Sequence, residues 1–517
     1  MKRLSISFKI MLVALLILVV GTQQSCTKLE EPVYSELTGD KFFENPDNLI
    51  YAFGVAYTNL YQLMGHKYGI GFDAGTDILV VPQRGGDWFD GGEWIRWHRL
   101  EYRPSEAYVS RWWNIIYYGI NTCNRLIFQF EALEEVDVTP AVSELRALRA
   151  LYYYWLVDIY GNVPIQTDFN VPPDFKPSTK TRQEVYDFIE AELKEVMPHL
   201  SKETGLAYFG RMNYYAAQMV LAKLYLNAEV YTGVPQWEKA SKACDSVMTG
   251  NFSLTGNFFT NFEEDATTSP EYILGIAFDQ VNAPAFEVHL FTLHYNLSSK
   301  YQFEDNCWNG LSIQESLYNS FEEQDVRRNG LLAGFQYFDD GTPVEDPSYE
   351  QFNPNDPTAP IDPDGAPLNL TPEINMLEPN CLRQAGTRVA KFPFIVGSDR
   401  YTSNDFPIFR YADVLLMKAE ALMRSGGDIG LALSLVNQVR ARANATPLTE
   451  LTYENLLAER GRELYAEGFR RSDMIRFGVL LNTRWEKPEV SPSYVTLWPI
   501  PESQIQANPN LIQNPGY

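Results

Sequence analysis

The stretch RYADVLLMKAEALMRSGG, residues 410–427, runs through Asp428 into IGLALSLVNQVRARAN, residues 429–444. Apolar residues recur three and four apart through both halves, the spacing of two amphipathic helices. The two are joined by Gly-Gly-Asp and read as a helical pair. Ala419 and Ala432 are small enough to let neighbouring helices approach closely, with large residues filling the space between them.

Working outward, the same pattern recurs. Residues 108–133 (YVSRWWNIIYYGINTCNRLIFQFEAL) and 141–161 (AVSELRALRALYYYWLVDIYG) form a candidate antiparallel pair. Residues 181–200 begin with Thr181 and carry Glu184 three positions on, a capping-box signature. Residues 212–231, with Ala217 and Ala222, and residues 237–250 follow. These pairs look like degenerate tetratricopeptide-type hairpins separated by insertions, although a plain helical bundle also satisfies the periodicity. From about 250 to 407 the chain is rich in Gly, Pro, Asn and Asp. NPNDPTAPIDPDGAPLNL (353–370) excludes a regular helix or a central strand. Long irregular segments of this kind are often functional. The expected fold is therefore mostly α: a tetratricopeptide-like helical hairpin scaffold with a large, loop-rich, irregular ligand-binding layer packed on it.

The N-terminus predicts export. Lys2, Arg3 and Lys9 precede the apolar run from Ile10 to Val20, eleven residues where a spanning helix takes about 20. A basic start, a run of this length and a small residue before a cut describe a signal peptide over residues 1–25, cleaved between Ser25 and Cys26. The arrangement resembles a bacterial lipoprotein signal, with Cys26 acylated and Gln23 and Gln24 in the middle of the lipobox. Each buried methylene contributes about 0.8 kcal/mol, so several acyl chains would make a stable anchor without a transmembrane helix. Residues 26–40 are then a lipidated tether. Its TKLEEP, with Lys28, Glu30 and Glu31, loosely matches the acid-rich tag associated with surface export in Bacteroidetes.

Composition narrows the partners. The formal charge is −24, and about −27 without residues 1–25, which hold three positive charges and no negative one. Nucleic acid and anionic lipid are poor partners for such a surface. Five cysteines show no CxxC and no nearby histidine cluster, so neither zinc nor another metal is expected, and no cofactor. Cys123 and Cys244 lie in helical patterns and read as buried thiols. Aromatic residues make up 14% of the chain, enough to fill a core and still furnish an exposed binding surface.

Four ordered segments in the C-terminal third carry a resemblance: residues 404–427, 432–443, ERGRELYAEGFRRSDMIRFG (459–478) and LWPIPESQIQANPNLIQNPGY (497–517). FFENPDNLIYAFGVAYTNLY (42–61), ALRALYYYWLVDIYGNVPI (147–165) and residues 306–332, which lead to the Asp-x-Arg of Asp325 and Arg327, agree with it. The chain is similar to the SusD/RagB family of outer-membrane nutrient-binding lipoproteins from Bacteroidetes. The resemblance divides it into a SusD-like helical part over 41–250 and a C-terminal SusD/RagB part over 251–517, forming one compact unit. In residues 466–478, Arg470, Asp473 and Arg476 fall every third position, on one helical face, with Glu463 and Glu467 as further partners. A structural charge network is the better reading of this unit than an anion site.

No catalytic constellation is present. Glycoside hydrolysis needs two carboxylates about 5–9 Å apart, and no short motif singles out a pair; Asp73, Asp77, Asp87, Asp90 and Glu93 cluster on glycine-rich loops. There is no G-x-S-x-G elbow and no H-E-x-x-H. The resemblance likewise implies binding without turnover. Sugar C–H faces pack on exposed rings while polar side chains hydrogen-bond the hydroxyls. RGGDWFDGGEWIRWHRLEYRP (84–104) offers Trp88, Trp94 and Trp97 among glycines and charges, and LHYNLSSKYQFEDNCWNG (293–310) offers Tyr295, Tyr301 and Trp308 beside Asn306 and Asn309. Core packing is the competing reading for each ring, and the stronger one for Trp112, Trp113 and Trp155. The aspartates between Asn355 and Asp364 lack EF-hand spacing and read as a solvated loop. The expectation is a surface-exposed, lipid-anchored outer-membrane subunit that binds an oligosaccharide or polysaccharide. By resemblance it closes over a SusC-like TonB-dependent transporter as a lid. A peptide-binding lid, or a structural subunit with specificity in the barrel, are the rivals.

Overall fold

The computed structural model describes residues 47–134, 136–346 and 367–517. The signal peptide, Cys26, the tether over 26–40 and the loop from Asn355 to Asp364 lie outside the described residues.

Helices dominate. After α1 (Asp47–Met64) and α2 (Glu93–Arg99), α3 (Ala107–Glu131) packs along α4 (Thr139–Ile159), and α5 (Arg182–Val196) packs on α4. The Thr181 capping box forms as expected: its hydroxyl accepts from the Glu184 amide and the Glu184 carboxylate accepts from the Thr181 amide. α6 (Tyr214–Leu226) packs against α7 (Trp237–Met248). α8 (Tyr411–Ser425) and α9 (Ile429–Arg442) form the C-terminal hairpin. Gly426 ends α8 at φ 69°, a left-handed turn that favours glycine, and the Asp428 side chain caps α9 by accepting from the Leu431 amide. Ala217, Ala222, Ala419 and Ala432 are fully buried at helix contacts. α8 also packs on α7, so the hairpin array continues directly across the long insertion between them. Residues 50–517 form one compact unit.

The insertion holds short two-stranded pairings instead of a sheet. β1 (Leu79–Val80) pairs antiparallel with β3 (Ser312–Ile313), and β2 (Tyr272–Ile276) with β4 (Phe406–Arg410), whose register is irregular. No helix of the described residues is long and apolar enough to cross a membrane. Cys123, Cys244, Cys307 and Cys381 are buried thiols, and burial pushes those of Cys123 and Cys244 up to about 12.

Buried charges join the layer to the helices. Glu463 of α10 (Tyr453–Leu464) accepts from Arg410 at 2.5 Å, from Arg327 at 2.8 Å and from Arg442. Arg327, the arginine of the Asp-x-Arg, also pairs with Asp325 and Glu459 at 2.7 Å each. Arg410 and Lys391 share Glu467, and Glu271 takes Arg410 and Arg442. Burial alone would raise the Glu459 carboxyl, but Arg327, Arg462 and Arg440 hold it at about 2. In α11 (Arg470–Arg476), Asp473 pairs with Arg476 and with Arg460, and Arg476 reaches Glu420. The expected charge network is therefore present, with two differences. Arg470 turns instead to Asp77 at 2.7 Å, and Glu463 and Glu467 serve arginines from outside the motif.

The C-terminal tail, residues 497–517, combines a short helix with extended stretches. Residues Glu502–Ala507 are helical, and on either side the chain is pinned to α4: Trp498, fully buried, donates its amide to the Ile159 carbonyl at 2.8 Å, and the Asn514 side chain donates to Tyr160 and Trp498 carbonyls.

One buried carboxyl gives a pH-dependent expectation. Asp405 accepts from the Ala266 amide at 2.8 Å and is raised to about 7, chiefly by burial with Asp265 adding. Its folded value lies above its unfolded one, so its stabilising share is present at low pH and lost as pH rises through about 7. Asp405→Asn keeps the acceptor without the charge. The variant should gain stability relative to wild type between pH 5 and pH 8, read as urea midpoints. An equal difference at both pH values defeats the assignment.

Candidate functional site

The candidate residues sit where three loops meet. In the first, the Arg84 amide donates to the Asp87 carbonyl at 3.0 Å and the Asp87 amide returns to Arg84 at 3.1 Å, a tight turn that presents Asp87, Trp88 and Phe89. Trp88 (φ 61°) and Asp90 (φ 40°) are left-handed, as are Gly91 and Gly92. A left-handed non-glycine residue costs about 1–2 kcal/mol, so packing must over-determine this turn.

Two buried guanidiniums do much of that. Arg84 donates to the Asn309 carbonyl at 2.9 Å, the Ser312 hydroxyl at 2.9 Å and the Ala385 carbonyl at 3.0 Å. Arg388 donates to the Asn309 side-chain oxygen at 2.7 Å, the Arg383 carbonyl at 2.8 Å and the same Ser312 hydroxyl at 3.1 Å. The loops around residues 84, 309 and 385 are thereby tied together. Satisfying buried donors with fixed carbonyls is what keeps such groups from destabilising the fold. Burial, with Arg84 alongside, sets Arg388 well below its ordinary value.

On this base lies a ring-bearing face. The Trp88 indole donates to the Trp308 carbonyl at 2.7 Å and its ring lies 5.2 Å from Phe291. Trp88, Trp308 and Tyr295 are half-buried, and Phe89 is 52% exposed. Each ring has polar company. Lys67 lies 5.1 Å from the Trp88 ring and 3.4 Å from Asp90. Arg400 lies 5.6 Å from the Trp308 ring and 5.7 Å from Tyr401, paired with Glu287 at 3.2 Å. The Tyr295 hydroxyl donates to Asp87 at 2.5 Å, and Arg383 lies 5.1 Å from the Tyr295 ring. Asn306 is exposed beside Trp308. His66 is lowered to about 3, by burial first and then by Arg111, Lys67 and Arg400, so it is neutral at physiological pH. The carboxylates here are engaged by a hydroxyl or a cation, an arrangement suited to hydrogen-bonding an uncharged polyol around flat apolar rings.

Three sequence candidates are corrected. Trp94 and Trp97 are both 0% exposed. They lie three apart on α2, stack on each other at 5.2 Å, and Trp97 stacks on Tyr108 at 4.0 Å. The helix turns both indoles into the core, despite the glycines and charges around them. Asn309 is also fully buried: both ends of its amide and its carbonyl are consumed by the clamp. Tyr301 packs at 5.5 Å on Phe303 and 5.2 Å from Phe394, on an apolar cluster that also supports Trp308. Trp112 and Trp113 are core residues, and Trp155 is partly buried. Lys67, Phe89, Arg400 and Tyr401 carry no local signal that marks them in sequence; tertiary packing brings them in. A cleft of about 630 Å³, between residues 99–103 and 486–495, contains none of the candidate residues.

Comparison with known proteins agrees with this fold. Residues 385–517 match the family described as SusD family, and residues 86–226 match one described as starch-binding, associating with outer membrane. The starch-binding protein SusD of Bacteroides thetaiotaomicron is 26% identical over 472 residues, covering 82% of this chain and 80% of that protein. A SusD-like protein of Formosa agariphila is 25% identical, over 95% of this chain and 97% of its own. Among solved structures, surface glycan-binding protein A of B. thetaiotaomicron superposes with a TM-score of 0.73 at 22% identity, covering 92% of this chain and all of that one. The ordered motifs, the hairpin scaffold and both family matches lead to one conclusion: the chain belongs to the SusD/RagB-like family of non-catalytic binding proteins.

Proposed function

We propose that this protein is a surface-exposed glycan-binding subunit of the outer membrane, anchored through Cys26, that captures an oligosaccharide or polysaccharide and serves as the lid of a SusC-like TonB-dependent transporter. The observation that carries the glycan reading is the face where Trp88, Trp308 and Tyr295 lie together, half-exposed, each with a charged or hydroxyl group beside its ring. Two relatives support it: one is named a starch-binding protein, and a surface glycan-binding protein A of the same fold is known in complex with laminarihexaose. The anchor and lid roles rest on the sequence motifs and the family. Tethering the binder beside its transporter raises its effective concentration there, so modest glycan affinity suffices.

The test is a native gel series cast with a panel of polysaccharides, run with residues 27–517. Retardation by at least one polysaccharide is the expected result; none, with binding of peptides in calorimetry, transfers the face to the peptide reading. The anchor has its own check. Cys26→Ala protein should leave the outer-membrane fraction of cells lacking the transporter, and its retention there defeats lipidation at Cys26.

A further inference from the structure

Gly310 follows Trp308 and the left-handed Asn309, and it is buried beneath Trp88. Its own φ lies outside the left-handed region, so backbone conformation does not call for glycine. Space does. A Cβ on residue 310 would stand 2.4 Å from Cζ2 and 2.5 Å from Cε2 of Trp88, and 2.8 Å from Cε2 of Phe291. Carbon atoms rest at about 3.5–4.0 Å, so a single methyl forces the indole to move by an ångström or more. On its inner side the indole is held in place, so the displacement is outward, toward the exposed face. Its Nε1–H is committed to the Trp308 carbonyl at 2.7 Å, Phe291 and Trp94 flank it at 5.2 and 6.1 Å, and its backbone is in a left-handed turn.

We infer that Gly310 is a positioning residue for ligand binding: its missing side chain seats Trp88 against the 308–310 backbone, and so sets the height and tilt of that ring relative to Trp308. The same segment supplies the hydrogen-bond acceptor, through Trp308, and the seat, through Gly310. The Trp88 indole is therefore positioned directly on the backbone segment that carries Trp308. The inference rests on reading this face as the binding surface.

Four proteins test it: wild type, Trp88→Ala, Gly310→Ala and the double variant. Each is labelled with fluorotryptophan, and the Trp88 line in the fluorine NMR spectrum is identified by its loss in Trp88→Ala. Gly310→Ala should shift the Trp88 line and weaken retardation at least tenfold in native gels cast with soluble starch or laminarin. It should lower the urea midpoint when Trp88 is present and have less effect in the Trp88→Ala background, where only the contact with the edge of the Phe291 ring remains and that ring can turn into the space the indole leaves. An unmoved Trp88 line, or the same loss of midpoint in both backgrounds, overturns the inference. If Gly310→Ala does not fold, recovery of folding in the double variant supports the seat and failure to recover refutes it. If wild type is retarded by neither polysaccharide, the glycan reading loses its support while the spectrum and the stability cycle still decide the role of Gly310.

Discussion

Trp88→Ala combined with Trp308→Ala should abolish retardation by any polysaccharide that slows the wild-type protein, without unfolding it. Anchoring tryptophans in binding surfaces commonly contribute about 2 kcal/mol or more each, about 30-fold in affinity. The single variants should differ in kind. Trp308→Ala leaves its carbonyl in place, so the Trp88 indole keeps its hydrogen bond and only one ring is lost. Trp88→Ala removes a ring that Lys67 also faces and leaves the Trp308 carbonyl unmatched by that donor. Both variants keep the Arg84 and Arg388 clamp, which holds the carbonyl and side chain of Asn309 and not these rings. Isothermal titration with the retarding polysaccharide gives the numbers. Unchanged affinity in the double variant, with intact circular dichroism, removes this face as the binding surface.

The largest effect on stability is expected at Glu463. It is fully buried and accepts from three guanidiniums, so Glu463→Ala leaves three buried arginines to share the remaining carboxylates, Arg410 and Arg442 now depending jointly on Glu271. Removing one partner of a buried pair costs about 3–5 kcal/mol, and the number of arginines involved places this site at the upper end. The opposite case is Lys194, half-exposed and paired with Glu190 one helical turn away. Lys194→Ala should cost no more than about 0.5 kcal/mol. Guanidinium unfolding of both variants makes the comparison direct, and equal losses would show that the network contributes nothing beyond surface pairing. In acid, burial alone would raise the Glu463 carboxyl, but Arg442, Arg410 and Arg327 hold it well below the usual carboxylate range. Its contribution is therefore present above about pH 4, the ordinary value for glutamate, and is lost as pH falls below that.

The helical scaffold was legible in the sequence because its signals are local. Apolar spacing marks the hairpins, Thr181 with Glu184 marks a start, and Gly-Gly-Asp marks a turn between helices. The motif at 466–478 was legible as a charge network because arginines and acids three apart must face one way. The binding face was only partly legible. Glycines and charges around Trp88, Trp94 and Trp97 implied one exposed group, yet a run of left-handed residues reverses the chain at 88–92 and sends the next helix inward. The three-residue spacing of Trp94 and Trp97 was the local sign that they share a fate. Asn309 looked like a sugar ligand because asparagine is polar; its burial is set by Arg84 and Arg388, which are remote in sequence. Gly310 gives no sign at all until the indole above it is seen.

The packing of α8 on α7 has a consequence for how the molecule is made. While synthesis proceeds from the N-terminus, α7 must wait for residues 411–425, and the tail that pins α4 comes later still. Up to that point an apolar flank of the half-made array has no cover, and exposed flanks of this sort aggregate. The array can close only after most of the chain has been made. A truncation before residue 411 should therefore not give a smaller working protein, and the last hundred residues act as the latch that completes the first two hundred and fifty.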